Sequence, residues 1–446
     1  MLISHALSIG SKEVIALSGG GGKTTLMFRL AAELAASGRR VVTTMTTRIF
    51  ASQMAQAPHT LVLHGEGALL AQLPEALAEH GHVLIAGSTM VEQDKVQGVS
   101  PEFLDRIAAQ PTVDVVIVEA DGSRRLPFKA PAQHEPIIPT STTVLVPVVG
   151  LDVVGKPLVA GQVHRPEIVA ALSDAALGDP VTPEIIAAVL THPEGGAKGL
   201  PSGARLVPFL NRAEDEATLA AARQIARLLL AQPIVDRVLI GAAHAPDPVI
   251  EVWGRVGAVV LAAGQGKRFG ALKQVLPWRG MPLVAHVADQ ALACPDLDRV
   301  VVTVGAGADR VKAALAGRRV DLVPVPDWAD GQSRSVQTGL RALAGATAVL
   351  FLFADQPGVS PALLAALIQR HRETLAPVVA PRYRGQRGNP VLFDRSTFPE
   401  FARLIGDIGA RPIIQVHSDA IAWVDWPTPE ITQDIDVAED YHPEIT

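Results

Sequence analysis

Cysteine is nearly absent from this chain of 446 residues: Cys294 is the only one, so no intrachain disulfide can form. Nothing in the sequence therefore asks for an oxidising compartment. Cys294 is also a poor nucleophile candidate, since "ALACPDL" reads as the end of a helix where a small apolar residue packs. A basic excess is missing too. With 39 Lys and Arg against 45 Asp and Glu, the net charge of -6 gives little support to nucleic-acid or membrane-surface binding and favours small-molecule partners. No window approaches the ~18 uninterrupted apolar residues of a membrane span. "MLISHALSIGSKE" shows no basic segment followed by a cleavage-like site, so a cytoplasmic location is expected. What is present is 48% hydrophobic and 19% charged residues, a globular composition with too little charge for disorder. The length exceeds one ordinary core, and two α/β domains are the simplest division.

Short Val- and Ile-rich runs alternate with Ala- and Leu-rich helical stretches: "EVIAL", "RRVVTT", "HVLIAG", "DVVIVEADG", "TVLVPVVG", "ARLVPFLN" and "RVLIGAA". Parallel strands buried on both faces read as continuous apolar runs, so the pattern predicts a doubly wound α/β fold. The series starts afresh at "VGAVVLAAG" and continues through "RVVVTVG", "VDLVPVP", "AVLFLFADQP" and "PVVAPRY". We place the boundary near residue 254, giving domains 1–253 and 254–446. Within the first, "TPEIIAAVL" reads as a helix capped by Thr182 with Pro183 at its first position, and the glycine-rich stretch after it as a mobile surface loop.

"LSGGGGKTT", residues 17–25, has the parts of a P-loop: a preceding strand, a glycine turn, Lys23 for phosphate, the Thr24 hydroxyl for Mg²⁺ and a following helix. The leading glycine of the usual pattern is Leu17 here. Four consecutive glycines, Gly19, Gly20, Gly21 and Gly22, cost folding entropy and point to backbone approaching a ligand, with Thr25 beside them. Asp121 follows an apolar run and is the expected metal-side carboxylate. Glu119, two residues earlier on the same strand face, either activates water or caps the strand. "FLNRAE" places Asn211 where a guanine reader would stand, with Arg212 and Glu214 replacing the Lys and Asp of that motif.

"SGGGGKTTL", "VVTTMTTRIF", "IVEADGSRRLPFKAP", "HEPIIP" and "VHRPE" together resemble the YqeC family of selenium-dependent molybdenum hydroxylase accessory proteins, over nearly all of residues 1–250. The resemblance implies a P-loop nucleotide-binding protein that helps mature molybdenum hydroxylases, and ATP or GTP could occupy its loop. It would put Lys23, Thr24, Asp121, Arg124, Lys129, His134 and Glu135 near the ligand. Taken alone, Lys129, His134 and Glu135 also suit a polar loop over the sheet edge.

The second glycine stretch, "LAAGQGKRFGALK", lacks a Walker lysine-hydroxyl pair, and Gly264, Gly266 and Gly270 are spaced too widely for a dinucleotide fingerprint. Arg268 and Lys273 flank the turn, so backbone amides and two cations could wrap a triphosphate. Asp355 ends a strand in "FLFADQP", the expected place for a metal carboxylate. Asp434 and Asp436 in "QDIDVAEDY" are further candidates for a Mg²⁺ site, which needs few protein oxygens.

With "KQVLPWRGMPLVAH", "GQSRSV", "ADQP", "GQRGNPVLF", "GDIGAR" and "DIDVAEDY", residues 256–446 resemble the molybdenum cofactor cytidylyltransferase branch of the MobA-like nucleotidyltransferases. The resemblance implies a Rossmann-like, GT-A-like fold, CTP and Mg²⁺ as substrate and cofactor, Mo-molybdopterin as acceptor and an apo molybdenum hydroxylase as a partner. It would put Leu261, Ala262, Ala263, Gly264 and Gly266 around the nucleotide, and Ser333, Arg334 and Ser335 by its base and ribose. Asn389 stands where many relatives carry His, which puts an acceptor role of that His in doubt. Three rivals stay open: a sugar or polyol-phosphate nucleotidyltransferase, a non-catalytic cofactor chaperone with a nucleotide-driven switch, and a first domain that is a kinase or ATPase acting on selenium or sulfur.

Overall fold

A computed structural model describes residues 1–50, 54–87, 89–90, 95–266, 269–435 and 441. The chain forms two compact units, Met1–Trp253 and Gly254–Thr446. Among the described residues no helix is long and apolar enough to cross a membrane.

The first unit is built on a ten-stranded sheet. Its path runs Val249–Gly254, Arg237–Gly241, Phe209–Asn211, Val144–Gly150, Glu13–Gly19, Val115–Glu119, Val41–Met45, His82–Ala86 and His59–Val62. From Arg237–Gly241 to His59–Val62 every neighbouring pair is parallel. The central strands are buried on both faces, all seven residues of Val144–Gly150 included, which is why they read as unbroken apolar runs. His59–Val62 is a half-buried edge strand without such a run, and the sequence pattern does not announce it. "ARLVPFLN", expected as one strand, is split into Arg205–Leu206 and Phe209–Asn211 around Pro208, which has no N–H to give a ladder.

Helix Lys23–Ala36 follows the first strand directly and buries Leu26, Leu30 and Leu34, with Met27 and Ala31, against the sheet. The four-residue spacing puts these side chains on one face. Thr182 caps helix Pro183–Thr191 through a bond from the Ile185 amide, as its sequence predicts. The glycines after that helix are a correction. A Cβ on Gly195 would lie 2.2 Å from the Val189 carbonyl oxygen, and one on Gly196 2.4 Å from that of Leu190. The stretch begins as a tight reversal packed against the helix end.

The second unit has an eight-stranded sheet, ordered Asp321–Pro324, Arg299–Val304, Val256–Ala262, Ala348–Phe353, Val391–Asp394, Val378–Tyr383 and Gln386–Arg387, with Ile421–Asp425 also on Val378–Tyr383. The first four strands are parallel. Val391–Asp394 runs antiparallel to both its neighbours. The expected doubly wound parallel sheet is therefore mixed here, because "VLFD" has the same apolar content whichever way it runs. Cys294 is buried in this unit's core, and burial pushes its thiol pKa up, as expected of a packing residue.

Leu30→Ala removes a fully buried side chain behind the first glycine loop. The first unit's urea transition is expected to lose about 2–5 kcal/mol, with the second unit's transition unmoved.

Candidate functional site

Each unit places a glycine loop at the carboxyl end of a central parallel strand, followed by a lysine. In the first unit, strand Glu13–Gly19 lies between Val144–Gly150 and Val115–Glu119, with Leu17 paired to Glu119 and Gly19 to Val148. This register brings Glu119, the last residue of the neighbouring strand, and Asp121 just beyond it beside the loop. Lys23 donates to the Gly19 carbonyl at 2.7 Å and pairs with Asp121 at 3.2 Å and Glu119 at 3.7 Å. Thr24 donates to Glu119 Oε2 at 2.8 Å, and the Gly19 amide to Asp121 Oδ2 at 3.1 Å. Burial works against the Lys23 ammonium, but the Asp121 and Glu119 charges outweigh it and hold the pKa above its ordinary value. Burial pushes the Glu119 carboxyl up, only partly countered by Lys23 and Thr24.

The glycine run has a different cause from the one its sequence suggests. A Cβ on Gly19 would lie 2.3 Å from the Val148 oxygen, on Gly20 2.6 Å from the Leu126 oxygen, and on Gly21 2.3 Å from the Gly150 nitrogen. The close approach is to the protein's own backbone. The Gly20 and Gly21 amides donate to Val148 and Leu126, so an anion at this loop would be met by the free first-turn amides at Lys23, Thr24 and the exposed Thr25. Asn211 is likewise corrected. It is buried, gives its amide to the Gly21 carbonyl at 2.7 Å and takes the Ala243 amide at 2.9 Å, so it pins the loop and has no edge left to read a base. Its neighbour Arg212 pairs with Asp152 at 2.6 Å.

Lys129 joins Asp121 at 3.0 Å to Glu135 at 2.7 Å, and Arg165 reaches Glu135 at 2.6 Å. Arg165 belongs to the charge network, although no spacing in the sequence marks it; its signal is the "VHRPE" segment, whose His164 pairs with Lys129 across two short strands. His134 and Arg124 are exposed, Arg124 with a left-handed φ of 53°.

The second unit opens a cleft of about 1010 Å³ at the same edge of its own sheet. Leu261, Ala263, Gly264 and Gly266 line it, whereas Ala262 is buried below. Nothing lies within 4 Å of where a Gly264 Cβ would sit, so at Gly264 the loop faces open space, whereas a Cβ on Gly266 would lie 2.3 Å from the Ala271 oxygen. Gln274, buried, clamps the loop from beneath by donating to the Ala262 and Gly264 carbonyls at 2.9 and 2.6 Å. Lys273 pairs with Asp355 at 2.7 Å and donates to the Ile435 carbonyl at 2.7 Å. Gln356 donates to Asp434, and both line the cleft. Arg268 and Asp436 lie outside the described residues.

Ser335 and Asn389 line the cleft. Ser333 does not. It is fully buried, and its backbone amide is held by the Gly406 carbonyl. Arg334 turns to Asp327 and Asp330, at 3.2 and 3.7 Å. For these two the structure corrects the expected contact with base and ribose, because alternate positions on helix Gln332–Ala342 point away from one another. The glutamines Gln274 and Gln356 carry no spacing signature; their only signal is adjacency to Lys273 and Asp355.

A glycine loop open to solvent, a lysine beneath it and a carboxylate from the adjacent parallel strand define a site for transferring a nucleotide. Residues 258–421 match the MobA-like NTP transferase domain, and the second unit is a nucleotidyltransferase that takes a nucleoside triphosphate. Residues 15–167 match the YqeC protein family. The YqeC protein of Escherichia coli (strain K12) is 38% identical over 199 residues, covering 45% of this chain and 75% of that protein. The chain belongs to the YqeC family through its first unit. Nicotine blue oxidoreductase of Paenarthrobacter nicotinovorans is 31% identical over 192 residues, covering 41% of this chain and 93% of that protein. A 2-C-methyl-D-erythritol 4-phosphate cytidylyltransferase of Ralstonia nicotianae (strain ATCC BAA-1114 / GMI1000) is 38% identical over 121 residues, covering 25% of this chain and 48% of that protein.

The first loop yields two expected outcomes. Gly21→Ala, at a φ of +75° and against the Gly150 backbone, is expected to cost more than about 1 kcal/mol in urea unfolding, whereas Gly122→Ala, with open space around it, stays within about 0.5 kcal/mol. Burial pushes Glu135 up, but bonds from Arg165 and Lys129 overcome it and bring the carboxyl from 4.5 to about 2. A depressed carboxylate stabilises the fold above its unfolded pKa and loses that contribution as pH falls through the folded one. Thermal unfolding from pH 5 to 2 should show a fall in stability that Glu135→Gln flattens.

Proposed function

We propose that the second unit transfers the cytidylyl group of CTP to Mo-molybdopterin, giving molybdopterin cytosine dinucleotide and pyrophosphate. The first unit then acts as a nucleotide-dependent accessory in maturing a molybdenum hydroxylase. The observation that carries the reading is the Lys273–Asp355 pair on the floor of an open cleft beneath the glycine loop. The cytidylyl choice is supported by the "LAAG" spelling of that loop, where the guanylyl branch more often has "LAGG", and by the relative whose name is a cytidylyltransferase. The molybdenum assignment is supported by the union of a YqeC domain with a MobA-like domain in one chain. A relative named as an oxidoreductase matches the same unit, and one fold carries several chemistries, so the site decides.

In the reaction a phosphate oxygen of the acceptor attacks the α-phosphorus of CTP, the new P–O bond forms, and the α–β bridging oxygen leaves with pyrophosphate. An ionised phosphate nucleophile needs no general base, so the protein's work is positioning and charge neutralisation. Gly264 brings backbone to the triphosphate, Gln274 holds that backbone still, and Lys273 balances charge on the α-phosphate and leaving group.

The donors present fit a hard divalent cation. Asp355 and Asp434 offer carboxylates at the cleft, and Gln356 Oε1 is a buried oxygen with no hydrogen-bond partner among the described residues. Mg²⁺ held by Asp355 and Asp434, or by Asp436 in place of Asp434, would supply charge neutralisation of the triphosphate.

A second reading, transfer to a small polyol phosphate, is favoured by the name of the Ralstonia nicotianae relative. Pyrophosphate release by the purified chain, with Mg²⁺ and CTP, GTP or ATP, separates them. CTP-dependent release that requires Mo-molybdopterin supports the proposal. Release with GTP moves the chain to guanylyl transfer, and release only with a polyol phosphate supports the second reading. Asp355→Asn is expected to lower transfer by about 100-fold or more with the urea midpoint unchanged, and undiminished turnover would remove Asp355 from the mechanism.

A further inference from the structure

Among the described residues, two arginines that line the second unit's cleft have no counter-ion. Arg387 ends the short strand Gln386–Arg387, Arg411 opens the segment Arg411–Val416, and both line the cleft. Neither has an ion pair or a side-chain hydrogen bond to a described residue, although Asp330, Asp407 and Asp434 line the same cleft. Burial, and then the charge of Arg411, hold the Arg387 pKa below the ordinary arginine value. Like charges held together without a carboxylate are destabilising until an anion joins them.

The backbone that presents Arg387 is fixed. Arg387 pairs with Arg382, the Gly388 amide donates to Pro381 at 2.9 Å and the Asn389 amide to Ile431 at 2.8 Å. A Cβ on Gly388 would lie 2.6 Å from the Ile431 oxygen, so glycine lets this strand sit down on the tail segment. Asn389 also lines the cleft, and its carboxamide has no side-chain partner among the described residues.

Strand order separates these donors from the triphosphate loop. The loop leaves Val256–Ala262, Asp355 follows the adjacent Ala348–Phe353, and Arg387 comes from the far edge beyond Val391–Asp394 and Val378–Tyr383. In-line displacement needs two anions on opposite sides of one phosphorus, one held by the loop and one arriving across the cleft.

We infer that Arg387 and Arg411, with Asn389 beside them, form a second anion subsite that receives the phosphate of the acceptor. The identity of that acceptor rests on the transfer reading above; the subsite does not. Planar guanidiniums match a phosphate's paired oxygens, which a lysine cannot do as well.

The test uses the full chain saturated with Mg²⁺ and a CTP analogue carrying a methylene bridge between the α- and β-phosphates, titrated calorimetrically with inorganic phosphate. One phosphate should bind with the nucleotide in place. Arg387→Gln and Arg411→Gln should weaken it about 10- to 100-fold while changing nucleotide affinity less than about threefold. Arg387→Lys should recover part of the loss. In the transfer assay the same variants should raise KM for Mo-molybdopterin and leave KM for CTP in place. Phosphate that only competes with the nucleotide, or variants that weaken the nucleotide instead, would overturn the inference and return both arginines to the donor. If no variant, nor the unmodified chain, transfers to Mo-molybdopterin while the second phosphate still binds, the subsite stands and the acceptor assignment falls.

Discussion

The Lys273–Asp355 pair, 2.7 Å long, is the contact on which the second unit's site depends. It can form only because Val256–Ala262 and Ala348–Phe353 are adjacent and parallel, so that the segments leaving both strands emerge at the same edge. The tail is tied to the same point, since Lys273 also holds the Ile435 carbonyl and the Ile435 amide donates to the Asp355 backbone carbonyl. One ammonium thus links the loop segment, the Asp355 carboxylate and the tail around Ile435. With both side chains partly open to the cleft, at 12% and 27% exposure, solvent and ligands can compete for either partner.

The first unit uses the same device in a sealed form. Lys23 and Asp121 are 3% and 2% exposed, and Lys129, Glu135 and Arg165 extend the charge chain behind them. Leu126, Val148 and Gly150 close over the glycines with backbone. Breaking one member of such a buried network leaves an uncompensated charge, which costs far more than an exposed pair does. For an anion to reach Lys23, it must replace Asp121 as the lysine's partner. The contrast between a sealed and an open lysine separates the two loops more sharply than their glycine spacing does.

Much of the architecture was legible because buried parallel strands leave unbroken Val- and Ile-rich runs, and the strands that end in Gly19 and Glu119 and those that lead into Gly264 and Asp355 are of that kind. The elements that escaped lack such a run or have no directional mark: the half-buried His59–Val62, and Val391–Asp394, whose antiparallel course no apolar count reveals. At the site, residues set by charge and position were visible, and residues set by packing were not. Gln274 and Gln356 matter through their amides, Arg165 and Arg387 through neighbours brought from elsewhere in the chain. The glycine run misled for a physical reason: close approach demands glycine whether the approaching atoms belong to a ligand or to the protein's own backbone.

The most direct measurement traces label from CTP through the purified chain with Mg²⁺ and Mo-molybdopterin, comparing ³²P at the α-position with ³²P at the γ-position. Transfer at the open cleft predicts α-label in the dinucleotide product and γ-label wholly in pyrophosphate. Label from the γ-position on the acceptor, or orthophosphate released with the acceptor untouched, would contradict nucleotidyl transfer and leave the Lys273–Asp355 cleft in need of a different reaction.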